Sequence, residues 1–152
     1  MRVMADKNKL TRIMIFGTFD GVHKGHINFF KQAKKIVKNP SKSFLIASIA
    51  RDKNVFKIKG EYPLHTERKR MALIKKYKII NKVVLSGIDN HLPHILKEHP
   101  DIIALGYDQK AYVKNLKKDL KRKGKLGMSV KIVRLKPYKE HIYKNRLLKT
   151  KK

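Results

Sequence analysis

The sequence contains no cysteine, and it has no apolar run long enough to cross a membrane. Without cysteine there are neither disulfide bonds nor a thiolate metal site. A membrane-spanning helix needs about 20 consecutive apolar residues, and no run approaches that length. The first ten residues are mixed and charged, so they lack the apolar centre of a secretory signal. These absences predict a cytoplasmic protein that has no membrane partner.

Acidic residues are also scarce, since 11 Asp and Glu stand against 39 Lys and Arg, for a net charge of +28. Such an excess has three explanations: nucleic-acid binding, attraction of small polyphosphates, or a lysine-rich composition without a specific role. Lysine occurs in every segment rather than on one face or in one tail. Composition is therefore favoured, while weak RNA binding and attraction of an anionic substrate stay open.

The 152 residues, 41% of them hydrophobic, are enough for one domain with its own core. No internal repeat and no linker between domains is visible. We expect residues 1–10 to form a loose leader, residues 11–149 to form the folded domain, and residues 150–152 to form a short basic tail.

Apolar runs alternate with helical stripes along the chain. This alternation predicts a single α/β domain of the Rossmann-like type, a five-stranded parallel sheet flanked by helices on both faces. Residues 51–62 are interpreted as a long polar loop that borders the ligand edge of the sheet, because they follow a strand end. The predicted strands are residues 11–16, 43–50, 82–85, 102–105 and 130–135, and the predicted helices are residues 27–38, 66–78, 91–98 and 111–123, with a last short helix from residue 143.

The strongest functional signal lies in residues 13–26, where an apolar strand runs into a glycine-rich turn and then a helix. Backbone N–H groups at a helix start are unpaired and carry partial positive charge, so they suit phosphate. Glycine lets the backbone approach a ligand closely. His23 and His26 add hydrogen-bond donors that titrate near neutral pH. The stretch is therefore a candidate active site that handles phosphate.

These residues resemble the signature of the cytidylyltransferase-like nucleotidyltransferases, a superfamily related to class I aminoacyl-tRNA synthetases. The resemblance covers roughly residues 11–149 and implies a nucleotidyltransferase domain there. A second segment after the predicted fourth strand is closer to archaeal FAD synthases than to glycerol-3-phosphate cytidylyltransferases. Residues 63–74 resemble the central helix of the family, which carries an arginine matched here by Arg70. The other matching segments are Gly17-Thr18-Phe19-Asp20 with His23-Lys24-Gly25-His26, and Gly106-Tyr107-Asp108-Gln109.

The resemblance implies that His23 and His26 are the catalytic residues, donating hydrogen bonds to phosphate oxygens. Thr18 would hold a phosphate, while Lys24 and Arg70 would neutralise a triphosphate. The residues that the resemblance implies for nucleotide binding are Gly17, Thr18, Phe19, Lys24, Gly25, Arg70, Gly106, Asp108, Asn145 and Arg146.

The chain departs from the family pattern near its C-terminus. The family has a serine- and threonine-rich motif before the last helix, whereas residues 143–148 here carry no hydroxyl of that kind beyond one tyrosine. Asn145 could still cap the helix, and Arg146 could still reach a phosphate. Whether this altered segment supports catalysis is left open by the sequence.

The implied reaction is transfer of a nucleoside monophosphate from a nucleoside triphosphate to a phosphate-bearing acceptor, with release of pyrophosphate. ATP and FMN, giving FAD, are the favoured substrates. A cytidylyltransferase that uses CTP and a polyol phosphate is one alternative, and a non-catalytic protein that binds nucleotide or RNA is another. The family also implies Mg²⁺ bound with the nucleotide, and a homodimer.

Among the other polar residues, Asp20 is interpreted as structural, with a bond to loop amides favoured over metal binding. No protein metal site is expected. The remaining histidines are interpreted as ordinary surface or core residues: His65, His91, His94, His99 and His141.

Overall fold

In the computed structural model, which describes residues 9–88, 91–109, 113–124 and 129–137, the strands form one parallel sheet. The strand order is β3-β2-β1-β4-β5, so β1 lies in the centre. This confirms the predicted five-stranded α/β fold. The strands are β1 (Thr11–Gly17), β2 (Ser43–Ile49), β3 (Lys82–Leu85), β4 (Ile102–Leu105) and β5 (Lys131–Arg134), and the helices are α1 (Lys24–Lys34), α2 (Asp52–Lys59), α3 (Glu67–Lys75), α4 (Leu92–Glu98) and α5 (Val113–Arg122).

The sheet is buried on both faces because the central strands are apolar at nearly every position. Along β1, Ile13 and Ile15 face the core under α1 and α3, whereas Met14 and Phe16 face the core under α4 and α5. Alternate residues of a strand point to opposite faces. An uninterrupted apolar run is therefore what a strand covered by helices on both sides requires.

The prediction that residues 51–62 form a long polar loop is wrong in one respect, because eight of these residues form α2. Val55 is the only buried residue of that helix, so the sequence carries too little helical periodicity to reveal it. Gly60 ends α2 in the left-handed conformation, with φ of 78°. The first helix also ends earlier than predicted, at Lys34 rather than next to Pro40.

The amino edge of the sheet is held by an ion-pair network. Glu98 is 6% exposed, and its carboxylate lies 2.6 Å from Lys82 Nζ and 3.6 Å from Arg12 Nη2. The backbone N–H of Arg12 donates to Asp101 Oδ2 over 2.8 Å. These bonds join α4 to the amino ends of β1 and β3, which leaves the opposite, carboxyl edge for a ligand.

The ends of the chain carry several predictions that the described residues do not test. The last short helix lies outside the described residues, and the proposed boundaries at residues 10 and 149 stay predictions. Within the described part of the chain, no helix is both long and apolar enough to cross a membrane.

Phe19 folds back over the end of β1 and joins the core at 5% exposure. Its ring packs edge-to-face against His26 and Phe30, with centroids 5.5 Å away in each case. The backbone of Phe19 has φ of 51°, a region that bulky residues seldom adopt. A Cβ on Gly17 would lie 2.5 Å from this ring, so Gly17 makes room for Phe19.

We expect Gly17→Ala to lower the free energy of unfolding by about 1–3 kcal/mol, the usual cost of forcing extra atoms into a packed core. Gly21→Ala is the matched control in the same loop, since its new Cβ would meet no atom within 4 Å. Urea denaturation of both variants measures the difference. Equal stability of the two variants would contradict the packing described.

Candidate active site

The residues predicted from the signature lie at the carboxyl edge of the sheet, where β1 passes into α1. Gly17 ends β1, and His23 is the N-cap of α1 with an extended backbone (φ −120°, ψ −178°). Lys24 is the exposed first residue of the helix. The site is central because β1 has β2 on one side and β4 on the other, the place where ligands bind in open parallel sheets.

The two histidines cap the helix reciprocally. The Gly25 N–H donates to His23 Nδ1 over 3.0 Å, and the His23 N–H donates to His26 Nδ1 over 3.2 Å. The two rings stack with centroids 3.9 Å apart and planes 28° apart. The pair thus does what a serine and a glutamate do in an ordinary capping box, and it fixes both rings against the helix start.

This capping determines where the ring protons are. Each Nδ1 accepts a backbone hydrogen bond, so a neutral ring carries its proton on Nε2. Burial, followed by the proximity of His23, lowers the pKa of His26 to about 4. Burial also lowers the pKa of His23 below its ordinary value of 6.5. Near neutral pH both side chains are therefore uncharged donors through Nε2.

Arg70 is buried at the junction of the loop after β1, the start of α2 and the segment before α3. Its side chain is fully buried, and its three nitrogens donate to Thr18 O (2.8 Å), His65 O (3.1 Å) and Asp52 Oδ1 (2.6 Å). These bonds tie Arg70 to the loop that follows β1. The contact of Arg70 with a triphosphate stays a prediction.

The helices α2 and α3 are joined at their first turns. The Asp52 N–H donates to Glu67 Oε1 over 2.9 Å, and the Glu67 N–H donates to Asp52 Oδ2 over 3.1 Å. Arg51 pairs with Glu67 over 3.1 Å. Each helix thus receives an N-terminal carboxylate from the other, which favours both helix dipoles and fixes the side of the site that α2 forms.

Asp20 has the structural role that the sequence favoured. Its carboxylate accepts the backbone N–H groups of Leu64 (2.6 Å) and His65 (2.8 Å), and it lies 3.1 Å from His65 Nδ1. Burial opposes ionisation, but the bonds from His65 and Leu64 outweigh it and lower the pKa of Asp20. Since its oxygens are engaged in this way, Asp20 closes the loop after β1 onto the segment before α3.

A cavity of about 260 Å³ opens beside Thr18 on the β2 and β3 side of the site. The sequence predicts a loop where α2 lies, so it does not reveal most of the lining of this cavity, although it does place the segment at the ligand edge. Its lysines stand next to exposed apolar side chains, of which Ile58 is 70% and Ile88 is 49% exposed. The lining residues are Thr18, Ala50, Asn54, Val55, Lys57, Ile58, Lys59, Ile88 and His91.

Gly106 and Asp108 lie on the other side of β1, directly after β4. The side chain of Gln109 ties this segment to β1, because its Nε2 donates to Phe16 O over 2.7 Å. The ring of Phe19 packs against His26 and is nearly buried, and its contact with nucleotide stays a prediction. Asn145 and Arg146 lie outside the described residues.

Among the described residues, no group of three His, Cys, Asp or Glu side chains could hold a metal ion. One of the histidines that the sequence predicts to be ordinary, His91, lines the cavity. Burial lowers the pKa of its imidazole. The Nε2 atom of His94 lies 2.8 Å from Ser48 Oγ.

The chain belongs to the cytidylyltransferase-like family, whose model matches residues 14–145. Three similar archaeal proteins are described as FAD synthase. The protein from Korarchaeum cryptofilum is 40% identical, over 82% of this chain and 80% of the relative. The proteins from Thermoplasma volcanium (35% identical, over 85% of this chain and 84% of the relative) and Thermococcus sibiricus (36% identical, over 96% of this chain and 91% of the relative) are similar to a comparable extent. A crystal structure described as a lipopolysaccharide core biosynthesis protein from Thermoplasma volcanium superposes with a TM-score of 0.72 at 34% identity, covering 85% of this chain and 98% of that one. The resemblance inferred from the sequence is thus confirmed.

We expect the His26 ring to titrate at a pH far below 6.5 in the folded protein, because its charged form is disfavoured by burial. The unfolded chain then binds more protons between pH 6.5 and about 4, so stability is full above pH 6.5 and falls as the pH drops through that window. Proton–nitrogen NMR of the imidazole measures the midpoint and the tautomer. A midpoint near 6.5, or a proton on Nδ1 at neutral pH, would refute the capping arrangement.

Proposed function

We propose that the protein is a nucleotidyltransferase that transfers AMP from ATP to FMN, giving FAD and pyrophosphate. A phosphate oxygen of FMN forms a bond to the α-phosphorus of ATP, and the bond from that phosphorus to the bridging oxygen breaks. Pyrophosphate leaves with the electron pair of the broken bond. The single observation that carries this proposal is the stacked, reciprocally capped pair of His23 and His26 at the carboxyl end of β1. The description of the similar archaeal proteins as FAD synthases supports the choice of substrates.

The reaction needs positioned charge stabilisation more than it needs a base, because the attacking phosphate is already an anion. His23 and His26 supply Nε2 protons from fixed rings, so little reorganisation is required as charge builds on the phosphate oxygens. The start of α1 adds its dipole, and Lys24 lies exposed at that start. Neutral donors also avoid binding pyrophosphate too tightly after the reaction.

We assign the two sides of the site to the two substrates. The cavity between β1 and α2 combines Lys57 and Lys59 with the exposed side chains of Ile58 and Ile88. That combination fits an acceptor that has a phosphate and a flat apolar ring system. The nucleotide then occupies the β4 side, where Gly106 and Asp108 lie.

Mg²⁺ is proposed to enter with the nucleotide. The carboxylates of Asp20 and Asp52 are engaged by backbone N–H groups and by Arg70, so they do not form a cage. Asp108 is the exposed carboxylate next to the nucleotide side. This donor set fits a cation held mainly by phosphate oxygens, where it supplies neutralisation of the triphosphate.

A polyol phosphate acceptor is less well matched, because a small polar molecule would leave Ile58 and Ile88 uncovered. A purely binding protein would not need two neutral donors fixed at one helix start.

Several predictions of the sequence remain predictions. They are weak RNA binding, a homodimer, a cytoplasmic location and nucleotide contacts of Asn145 and Arg146.

The proposal is tested by incubating the protein and Mg²⁺ with ATP or CTP, paired in turn with FMN or glycerol-3-phosphate. We expect FAD, identified by mass, together with an equal amount of pyrophosphate only in the reaction of ATP with FMN. Product from CTP and glycerol-3-phosphate would support the cytidylyltransferase instead. Absence of turnover with every pair would contradict the proposal and would favour a protein that binds nucleotide without catalysis.

His26→Gln tests the proposed catalytic role without removing the helix cap, since glutamine is a normal capping-box partner at that position. We expect kcat to fall on the order of 100-fold, the usual loss for one preorganised donor, with the melting temperature little changed. His99→Asn is the control: His99 lies at the amino edge in the left-handed conformation, which asparagine tolerates. If His26→Gln turned over as fast as this control, the assignment would be wrong.

A further inference from the structure

The loop at residues 106–109 is held by a glutamine that the proposed reaction does not use. Gln109 Oε1 accepts the Gly106 N–H over 2.8 Å, and Gln109 Nε2 donates to Phe16 O over 2.7 Å. Phe16 is the residue before Gly17 in β1. One side chain therefore fixes the loop both to its own start and to the strand that carries the signature.

Arg134 holds the same loop from the opposite side. Its Nη1 donates to the carbonyl oxygens of Gly106 (2.6 Å), Gln109 (3.1 Å) and Tyr107 (3.3 Å). Arg134 is the last residue of β5. Three carbonyl groups of the loop are thus turned toward one cation, and the direction of the loop backbone is set by β1 and β5 together.

The strand order determines which substrate this loop faces. The cavity assigned to the acceptor lies on the β2 and β3 side of β1, whereas β4 and β5 lie on the other side. In the proposed reaction the α-phosphorus of the nucleotide lies next to the histidines, between the phosphate of the acceptor and the nucleoside. The nucleoside part of the triphosphate is then directed toward the loop at residues 106–109.

We propose that Gln109 and Arg134 are positioning residues for nucleobase selection. They orient the backbone of the loop so that its shape accepts adenine and disfavours cytosine, and they do not touch the reacting atoms. This inference deepens the proposed function, since it assumes a nucleotide on the β4 side. Adenine and cytosine differ in ring size and in the arrangement of donors and acceptors at their edges. A rigid loop discriminates between such ligands better than a mobile one.

The sharpest test is Gln109→Glu, which keeps an oxygen to accept the Gly106 N–H but loses the N–H that donates to Phe16 O. Asn81→Asp is the matched control, because Asn81 also accepts a backbone N–H through its amide oxygen (2.8 Å, from Leu45) but lies at the amino edge. Arg134→Lys is the second variant, retaining the charge without the guanidinium geometry.

We expect the parent to prefer ATP, and Gln109→Glu and Arg134→Lys to lower the ratio of kcat/KM for ATP to that for CTP roughly tenfold or more. The loss should appear in the KM for ATP, whereas the KM for FMN and the melting temperature should stay close to the parent values. A merely structural role would lower the melting temperature and leave the nucleobase ratio unchanged, and that result would overturn the inference.

Calorimetric binding of ATP and CTP without FMN separates this inference from the proposed function. If the parent makes no FAD yet binds ATP better than CTP, a reduced binding ratio in both variants would still support nucleobase selection by these residues. Equal affinity of the parent for the two nucleotides, or an unchanged ratio in the variants, would contradict it.

Discussion

The buried guanidinium of Arg70 is the interaction on which the active-site geometry depends. It joins the loop after β1 through Thr18 O, the segment before α3 through His65 O, and the start of α2 through Asp52. A charge buried without partners costs several kcal/mol, so all three contacts must be present together. Because α2 forms one wall of the cavity and the loop leads into the start of α1, where the histidine pair lies, Arg70 fixes that wall relative to the histidines.

Most of the fold could be predicted from the sequence because β1, β2 and β4 are apolar at most positions and are separated by helical stripes. The histidine pair could be predicted because its spacing next to a buried strand is specific. α2 could not, since its stability comes from Asp52, Glu67 and one buried valine rather than from its own periodicity. Nor does the sequence reveal that an arginine within a charged helix is fully buried, as Arg70 is.

The site combines neutral donors at its centre with an excess of positive charge around it. Burial lowers the pKa of both histidines, and the proximity of His23 adds to this effect at His26, while the chain as a whole carries a net charge of +28. Strong charge close to the reacting phosphorus would hold pyrophosphate as firmly as ATP, and catalysis requires preference for the transition state. The proposed function thus needs neutral donors next to the reacting phosphorus, and attraction of anionic substrates by the net charge stays a prediction.

The proposed function requires that His23 and His26 bind the α-phosphate of the nucleotide while the acceptor fills the cavity beside α2. A crystal structure with FMN and an ATP analogue whose α–β bridging oxygen is replaced by methylene would show both positions. We expect α-phosphate oxygens within about 3.2 Å of both Nε2 atoms, with the flavin against Ile58 and Ile88. An α-phosphate beyond hydrogen-bond reach of both histidines, or a flavin bound elsewhere, would contradict it.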